Sequence, residues 1–245
     1  MKLYVNGCSY SAGHKSKSFT NWPKILMEPF MDNFEEILKE NIISYKNTNN
    51  KNNLLFNSAA HGGGNDRILH NTLEEIEHLI SENLKPDLVI IEWTWPDRRR
   101  TLTETGYEYY LNSSNDYLFL NGSEIDIFMH NNNKVKPEPL ASKETLHYMF
   151  LLQEYFIKNN IDYLFFNYIK LDESVKHLKI YKKIDLSRFI EFSNIDDLLF
   201  TGLFEFIIKN GLSKDSYAHE NDLGHKFIAK EIRNRILNKK TNKLI

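Results

Sequence analysis

Apolar residues follow two different patterns along the chain. Four short runs are apolar at nearly every position and cover residues 2–5, 54–56, 88–91 and 163–166. Unbroken runs of this length are typical of strands buried on both faces of a parallel sheet. We therefore predict a parallel strand at each run.

Three longer segments instead repeat apolar residues at spacings of three and four. They cover residues 68–80, 146–157 and 223–236. This period predicts amphipathic helices, with a cap at Asn221 or Asp222 for the last one. Strands and helices thus alternate, which favours an α/β fold, a three-layer α/β/α sandwich with ligands bound at the carboxyl ends of its parallel strands. We see no repeat or linker and expect a single domain over residues 1–245.

One stretch, residues 101–140, interrupts this alternation. Residues 107–111 and 117–120 alternate in polarity around an Asn-Ser-Ser-Asn turn, and a Pro-containing segment follows. The pattern predicts a hairpin within an insertion or lid. Because the insertion leaves the carboxyl end of the third strand, we expect it to overhang the site and influence substrate selectivity.

Composition narrows the classes of partner. The chain is 41% hydrophobic with a formal net charge of −2, so no overall positive field attracts nucleic acid or an anionic membrane. No apolar stretch reaches the roughly 20 residues that cross a bilayer. The one cysteine excludes an internal disulfide, and no signal segment precedes the first strand. We expect a cytoplasmic protein without nucleic-acid or membrane partners and make no prediction of its oligomeric state.

The first candidate for chemistry is the turn after the first strand. Residues 7–11 read Gly-Cys-Ser-Tyr-Ser, and a serine at the mouth of a sheet is suited to nucleophilic attack. Ser9 is the candidate nucleophile, although a small polar residue in a tight turn is the common structural alternative. Cys8 is a weaker candidate, since a reactive thiolate needs a neighbouring cation or a helix N-terminus.

A candidate base lies near the other end of the chain. His219 begins the segment His-Glu-Asn-Asp-Leu-Gly-His, and a neutral imidazole can take the proton of a serine hydroxyl. His225 is expected in the first turn of the last helix, where it would help to fix this loop. His61 and these two histidines lack a ligand spacing such as His-x3-His, so we predict no metal and no cofactor.

These motifs, in this order, resemble the SGNH (GDSL-like) hydrolase superfamily over nearly the whole chain. The resemblance implies a flavodoxin-like fold and a serine esterase, lipase or acyltransferase activity, with Ser9 as nucleophile and His219 as base. The family's acid normally precedes the histidine by two or three residues. Here the nearest acid upstream is Asp215, four residues before His219, so the acid is either Asp215 or a backbone carbonyl in its place.

The resemblance also implies an oxyanion hole. The amide of Ser9 and an amide from a glycine turn are its expected donors, and the candidate glycines are Gly62, Gly63 and Gly64. The family's Gly-x-Asn-Asp string is absent, because residues 92–95 read Glu-Trp-Thr-Trp. Either Thr94 or Asn65 replaces its asparagine, and we favour Asn65 because an oxyanion is best stabilised by a fixed N–H dipole.

Arginines and tryptophans near the site are candidates for substrate binding. Arg67, together with Arg98 or a neighbour in the run 98–100, is placed to clamp an anionic sugar, since guanidinium offers a bidentate fork. The alternative for this run is a solvated charged surface. Trp93, Trp95 and Trp22 are candidate platforms for sugar rings, with packing in the core as their alternative.

We predict a serine ester hydrolase that works through an acyl-enzyme and removes a small acyl group, such as acetyl, from a carbohydrate or a similar small-molecule ester. One alternative is an O-acyltransferase with a sugar hydroxyl as acceptor. The other is a catalytically silent carbohydrate-binding or assembly protein on the same fold, favoured by the missing Gly-x-Asn-Asp string and the displaced acid.

Overall fold

The computed structural model describes most of the chain. The described residues are 1–12, 21–30, 34–39, 42–47, 52–60, 64–96, 98–103, 106–113, 116–119, 139–190, 192, 202–213 and 221–242. The strands are β1 (Lys2–Asn6), β2 (Phe34–Lys39), β3 (Ile42–Asn47), β4 (Leu54–Asn57), β5 (Leu88–Trp93), β6 (Arg98–Thr103), β7 (Gly106–Ser113), β8 (Asp116–Phe119) and β9 (Asp162–Asn167). The helices are α1 (Ser9–Ala12), α2 (Trp22–Met27), α3 (Asn65–Ser81), α4 (Pro139–Lys158), α5 (Leu203–Lys209) and α6 (Asp222–Asn242).

The main sheet has the strand order β2-β3-β4-β1-β5-β9. Its strands β4, β1, β5 and β9 are parallel, and they coincide with the four apolar runs, so those predictions are confirmed. β2 and β3 form an antiparallel hairpin at one edge, which the sequence pattern did not predict. Since the chain passes from β1 to β4 on one side and then to β5 on the other, the sheet has a topological switch point between β1 and β5, where doubly wound folds bind ligands.

Hydrophobic clusters cover both faces of this sheet. Side chains alternate along β1, so that Leu3 and Val5 pack on one face and Tyr4 on the other. The first face is covered by α2, α5 and α6, and the second by α3 and α4. The predicted three-layer sandwich is therefore confirmed, as are the three amphipathic helices, which are α3, α4 and α6.

A second, antiparallel sheet lies within the predicted insertion. It has the order β6-β7-β8, and the register pairs Ser113 with Asp116 across the predicted hairpin turn. The sheet begins at Arg98, one strand earlier than the hairpin that the sequence predicted. Residues 120–138 lie outside the described residues, and the role of the insertion as a lid stays a prediction. Among the residues described, no helix combines the length and the apolar character that a membrane crossing needs.

Candidate active site

The predicted nucleophile lies at the carboxyl end of β1, beside the switch point. The structure describes Ser9 through its backbone, as the first residue of the four-residue helix α1. The Ala12 amide donates to the Cys8 carbonyl at 3.0 Å, which closes the turn of this helix. The carbonyls at the end of this helix also accept hydrogen bonds. The side-chain amide of Asn57 donates to Ser11 O at 3.3 Å, and the side-chain amide of Asn21 donates to Ala12 O at 3.4 Å. Helix α1 is thus tied to β4 and to the start of α2.

Gly7 brings this turn into close contact with β5. A Cβ at this position would lie 2.8 Å from the Cβ of Glu92 and 3.0 Å from Ser11 Oγ. Side chains do not approach a Cβ this closely, so the packing between the turn and β5 requires glycine.

A buried carboxyl group lies directly beneath the turn. Glu92 is fully buried near the end of β5, and its Oε1 accepts a hydrogen bond from Cys8 Sγ at 2.9 Å. Its Oε2 accepts a hydrogen bond from the Ser11 hydroxyl, and the Trp22 indole N–H donates to the same Ser11 Oγ at 3.1 Å. We call Cys8, Ser11, Trp22, Glu92 and Arg98 the Glu92 cluster. Sequence reasoning missed it, although a glutamate at the end of the apolar run 88–91 was a visible signal.

The electrostatics of the Glu92 cluster are those of a charge held away from water. Burial raises the pKa of Glu92 to about 7, while hydrogen bonds from Cys8 and Ser11 and the nearby Arg98 guanidinium act in the opposite direction. Arg98 is itself 1% exposed. Near neutral pH, Glu92 is therefore balanced between its protonated and ionised forms.

Cys8 is held as a neutral thiol. Its side chain is fully buried, and burial together with the charge of Glu92 raises its pKa well above the ordinary value. A nucleophilic cysteine needs the opposite environment, one that stabilises the thiolate. Within this site, Cys8 serves as a hydrogen-bond donor, and Ser9 is left as the candidate nucleophile of the turn.

The chain that follows β4 runs beside the nucleophile turn. The Ser58 amide donates to Val5 O at 2.9 Å, and the Ala60 amide donates to Gly7 O at 3.2 Å. Gly62 and Gly63 lie outside the described residues. Gly64 directly precedes α3, and a Cβ there would lie 2.5 Å from the Arg98 carbonyl oxygen. Ala60 therefore lies beside Gly7, and Gly64 lies against the first residue of β6.

Asn221 organises the chain on either side of the predicted base. His219 and Asp215 lie outside the described residues. The Asn221 amide N–H donates to Leu212 O at 2.7 Å, and its side chain donates to Ser213 O at 3.3 Å, so residues 213 and 221 are adjacent. Its Oδ1 accepts from the Gly224 amide at 2.9 Å, as the predicted helix cap requires. Beyond it, Arg233 of α6 donates to Ile25 O of α2 at 3.0 Å, which packs these two helices together.

Comparison with known proteins identifies the fold. No protein-family model matches the sequence, and no curated protein matches it. The crystal structure of the esterase EstA from Pseudoalteromonas sp. aligns over 98% of both chains at 13% identity, with a TM-score of 0.51. The structure of TesA aligns over 96% of this chain and 98% of its own at 12% identity, with a TM-score of 0.50. The chain has the SGNH hydrolase fold. A putative lipolytic protein of the G-D-S-L family from Desulfitobacterium hafniense aligns over 96% of this chain and 98% of its own at 10% identity, with a TM-score of 0.48.

Within this SGNH hydrolase fold, Asn65 has a different role from the predicted one. Its amide nitrogen donates to Thr94 O at 3.3 Å and to Thr145 Oγ1 at 3.0 Å, and its Oδ1 accepts from the Thr94 amide at 2.9 Å. An amide NH2 has two hydrogens, and both are engaged inside the protein. Asn65 is also 1% exposed, so our prediction that it donates to an oxyanion is wrong.

Several other predicted contact residues are also buried. Thr94 and Trp93 are fully buried, and Trp93 packs edge-on against Phe165 with ring centroids 5.6 Å apart. Trp95 is 7% exposed and packs in the same way against Phe204. A side chain without accessible surface cannot contact a substrate, so the predictions of Trp93 as a sugar platform and of Thr94 as an oxyanion donor are wrong. Trp95 exposes too little of its ring to form a platform for a sugar, because it packs on Phe204, so that prediction is wrong as well.

The two arginines predicted to clamp the substrate, Arg67 and Arg98, differ in burial. Arg98 is buried and acts on Glu92 and Cys8, so both the clamp and the solvated surface that we considered for it are wrong. Arg67 is half-buried, and its Nη2 donates to Ser58 O at 3.0 Å. This bond holds the chain after β4 in place, and a contact between Arg67 and substrate stays a prediction. Among the described residues, no three His, Cys, Asp or Glu side chains are grouped as metal ligands would be.

Proposed function

We propose that this protein is a serine carboxyl ester hydrolase with Ser9 as its nucleophile. The observation that carries the proposal is the position of Ser9, at the start of α1 and at the switch point between β1 and β5 of an SGNH hydrolase fold. The neutral, buried thiol of Cys8 supports it by removing the rival nucleophile of the same turn.

The proposed reaction has two steps. Ser9 Oγ attacks the acyl carbonyl while His219 takes the hydroxyl proton, and the tetrahedral intermediate then expels the alcohol, which receives that proton. Water, deprotonated by His219, attacks the acyl-enzyme and releases the acid, and the proton returns to Ser9. Asp215, or a carbonyl in its place, orients the imidazole. By the resemblance of its motifs, we propose a small acyl group on a carbohydrate as the substrate.

The oxyanion hole of this proposal consists of backbone amides. Because Asn65 and Thr94 are buried, the donors are the amide of Ser9 and one from the glycine turn at 62–64. Loss of one side-chain donor costs about 3 to 4 kcal/mol of transition-state stabilisation in other serine hydrolases. We therefore expect a slow enzyme. The same observation favours, as a second candidate, a catalytically silent binding protein on this fold.

The test compares three purified proteins on p-nitrophenyl acetate and on an acetylated sugar. They are the wild type, Ser9→Ala and Ser81→Ala, the last being a control because Ser81 is an exposed serine at the far end of α3. We expect release of acetate by the wild type and the control, and none by Ser9→Ala. Equal hydrolysis by Ser9→Ala and the wild type would contradict the nucleophile, and inactivity of all three would favour the silent protein.

A further inference from the structure

Ser9 is bracketed by two side chains that donate to the same carboxyl group. Cys8 precedes it and donates to Glu92 Oε1, and Ser11 follows it by two residues and donates to Glu92 Oε2. The donors belong to the β1–α1 turn and the acceptor to β5, more than 80 residues later in the sequence. The Glu92 side chain of β5 is therefore hydrogen-bonded to the nucleophile turn on both sides of Ser9.

Burying the Glu92 carboxyl group costs free energy. Glu92, Cys8 and Ser11 are all 0% exposed, and ionising a carboxyl group away from water is unfavourable unless its oxygens are hydrogen-bonded. The earlier buried positions of β5 all carry apolar side chains, which are Leu88, Val89, Ile90 and Ile91. Packing alone therefore gives no reason for a glutamate beneath the turn, whereas its capacity to accept several hydrogen bonds does.

The geometry assigns to Glu92 the role of a positioning residue, which fixes the backbone of Ser9, and with it the Ser9 amide, through its hydrogen bonds with Cys8 and Ser11. This inference rests on the proposed function. It does not make Glu92 the acid of a triad, because its oxygens are occupied by the turn and because it acts through the backbone that carries Ser9.

Only the ionised carboxylate can act in this way. A carboxylate has two accepting oxygens, one for Cys8 and one for Ser11, whereas protonation turns one of these oxygens into a donor. Among the described residues, the titratable and charged groups that face Glu92 are the Cys8 thiol of the turn and the Arg98 guanidinium of β6. With its pKa raised to about 7, mainly by burial, Glu92 changes protonation in the same range as an ordinary imidazole. Hydrolysis then requires that two groups, Glu92 and His219, both lose a proton.

The experiment is the pH profile of kcat/KM for p-nitrophenyl acetate hydrolysis by the wild type, Glu92→Gln and Glu75→Gln. Glu75 is the matched control, a partly buried carboxyl in α3 that also accepts from two hydroxyl groups, Tyr4 and Ser58, and whose pKa is also raised by burial. We expect the acidic limb of the wild-type profile to have a slope of about two. Glu92→Gln should show a slope of about one, with kcat lowered by about tenfold or more and KM changed little. Glu75→Gln should keep the wild-type slope.

A second variant guards against misfolding of Glu92→Gln. Ser11→Ala leaves the carboxylate in place and removes one of its donors, so kcat should fall by about tenfold at unchanged KM. Wild-type kcat in Ser11→Ala, or a Glu92→Gln profile that keeps both the wild-type kcat and the wild-type slope, would overturn the role of Glu92 while leaving Ser9 as the nucleophile. Failure of the proposed function is distinguished by Ser9→Ala, which would then hydrolyse the ester as fast as the wild type.

Discussion

The Asn65 side chain bonds to both the backbone N–H and the backbone C=O of Thr94. Its Oδ1 accepts from the Thr94 amide at 2.9 Å, and its Nδ2 donates to the Thr94 carbonyl at 3.3 Å. The same nitrogen reaches Thr145 of α4 at 3.0 Å. The first residue of α3 therefore fixes the chain where it leaves β5 and ties it to the helix that follows the insertion, which gives Asn65 a structural role.

Replacing Asn65 should lower stability. Asn65→Ala removes three hydrogen bonds and leaves the buried amide and carbonyl of Thr94 without these partners, so we expect the free energy of unfolding to fall by on the order of 3 kcal/mol. Urea denaturation measures this. Asn210→Ala is the control, because Asn210 is exposed and its side chain donates to Phe206 O within the last turn of α5, and its effect should be about 0.5 kcal/mol or less. Equal midpoints for Asn65→Ala and the wild type would contradict the assignment.

The close contact of Gly7 with Glu92 predicts a loss of activity on a small substitution. Gly7→Ala places a Cβ 2.8 Å from the Glu92 Cβ and must push the nucleophile turn away from β5. We expect both stability and ester hydrolysis to fall, stability by about 1 to 3 kcal/mol. Gly211→Ala is the control, since its cost of about 1 to 2 kcal/mol comes from a φ of +64° with no atom near the added Cβ. A Gly7→Ala protein as active as Gly211→Ala would show that the contact is unimportant.

The raised pKa of Glu92 predicts a pH dependence of stability. Its ordinary value is 4.5 and its value in the fold is about 7, so the folded state holds this proton more tightly than the unfolded state. The resulting stabilisation is complete below pH 4.5 and is lost as the pH rises through 7, a change of about 3 kcal/mol. The glutamine of Glu92→Gln does not titrate in this range, so this variant lacks the pH-dependent contribution to stability. The difference in unfolding free energy between the wild type and Glu92→Gln should therefore shift against the wild type between pH 4.5 and 8, and a constant difference would contradict the burial of Glu92.

The buried thiol of Cys8 predicts slow alkylation. Because the thiolate is the reactive form and the pKa of Cys8 is raised by burial, iodoacetamide at pH 8 should leave the native protein unmodified. The chain has one cysteine, so intact mass reports it without ambiguity. In urea the same reagent should add a single group. Rapid labelling of the native protein would return Cys8 to consideration as a nucleophile.

The sequence was sufficient for the parts of the fold that depend on unbroken apolar runs or on helical periodicity. It was not sufficient for the hairpin of β2 and β3, because its longest apolar runs are pairs such as Ile37-Leu38 and Ile42-Ile43, separated by polar residues and without a glycine turn. The residues of the site also differ in how far the sequence predicts them. The position of Ser9 followed from a local motif, whereas the role of Asn65 depends on bonds to Thr94 and Thr145, which only the tertiary fold brings within reach.

Intact-mass analysis after reaction with a fluorophosphonate shows which residue of the turn is the nucleophile. The probe forms a covalent bond with an activated serine, so one adduct is expected in the wild type. The matched variants alter adjacent residues of the same turn. Cys8→Ala should still form the adduct, although more slowly because the turn loses one of its bonds to Glu92, and Ser9→Ala should form none. An adduct that persists in Ser9→Ala, or a wild type that never forms one, would show that Ser9 is not the nucleophile.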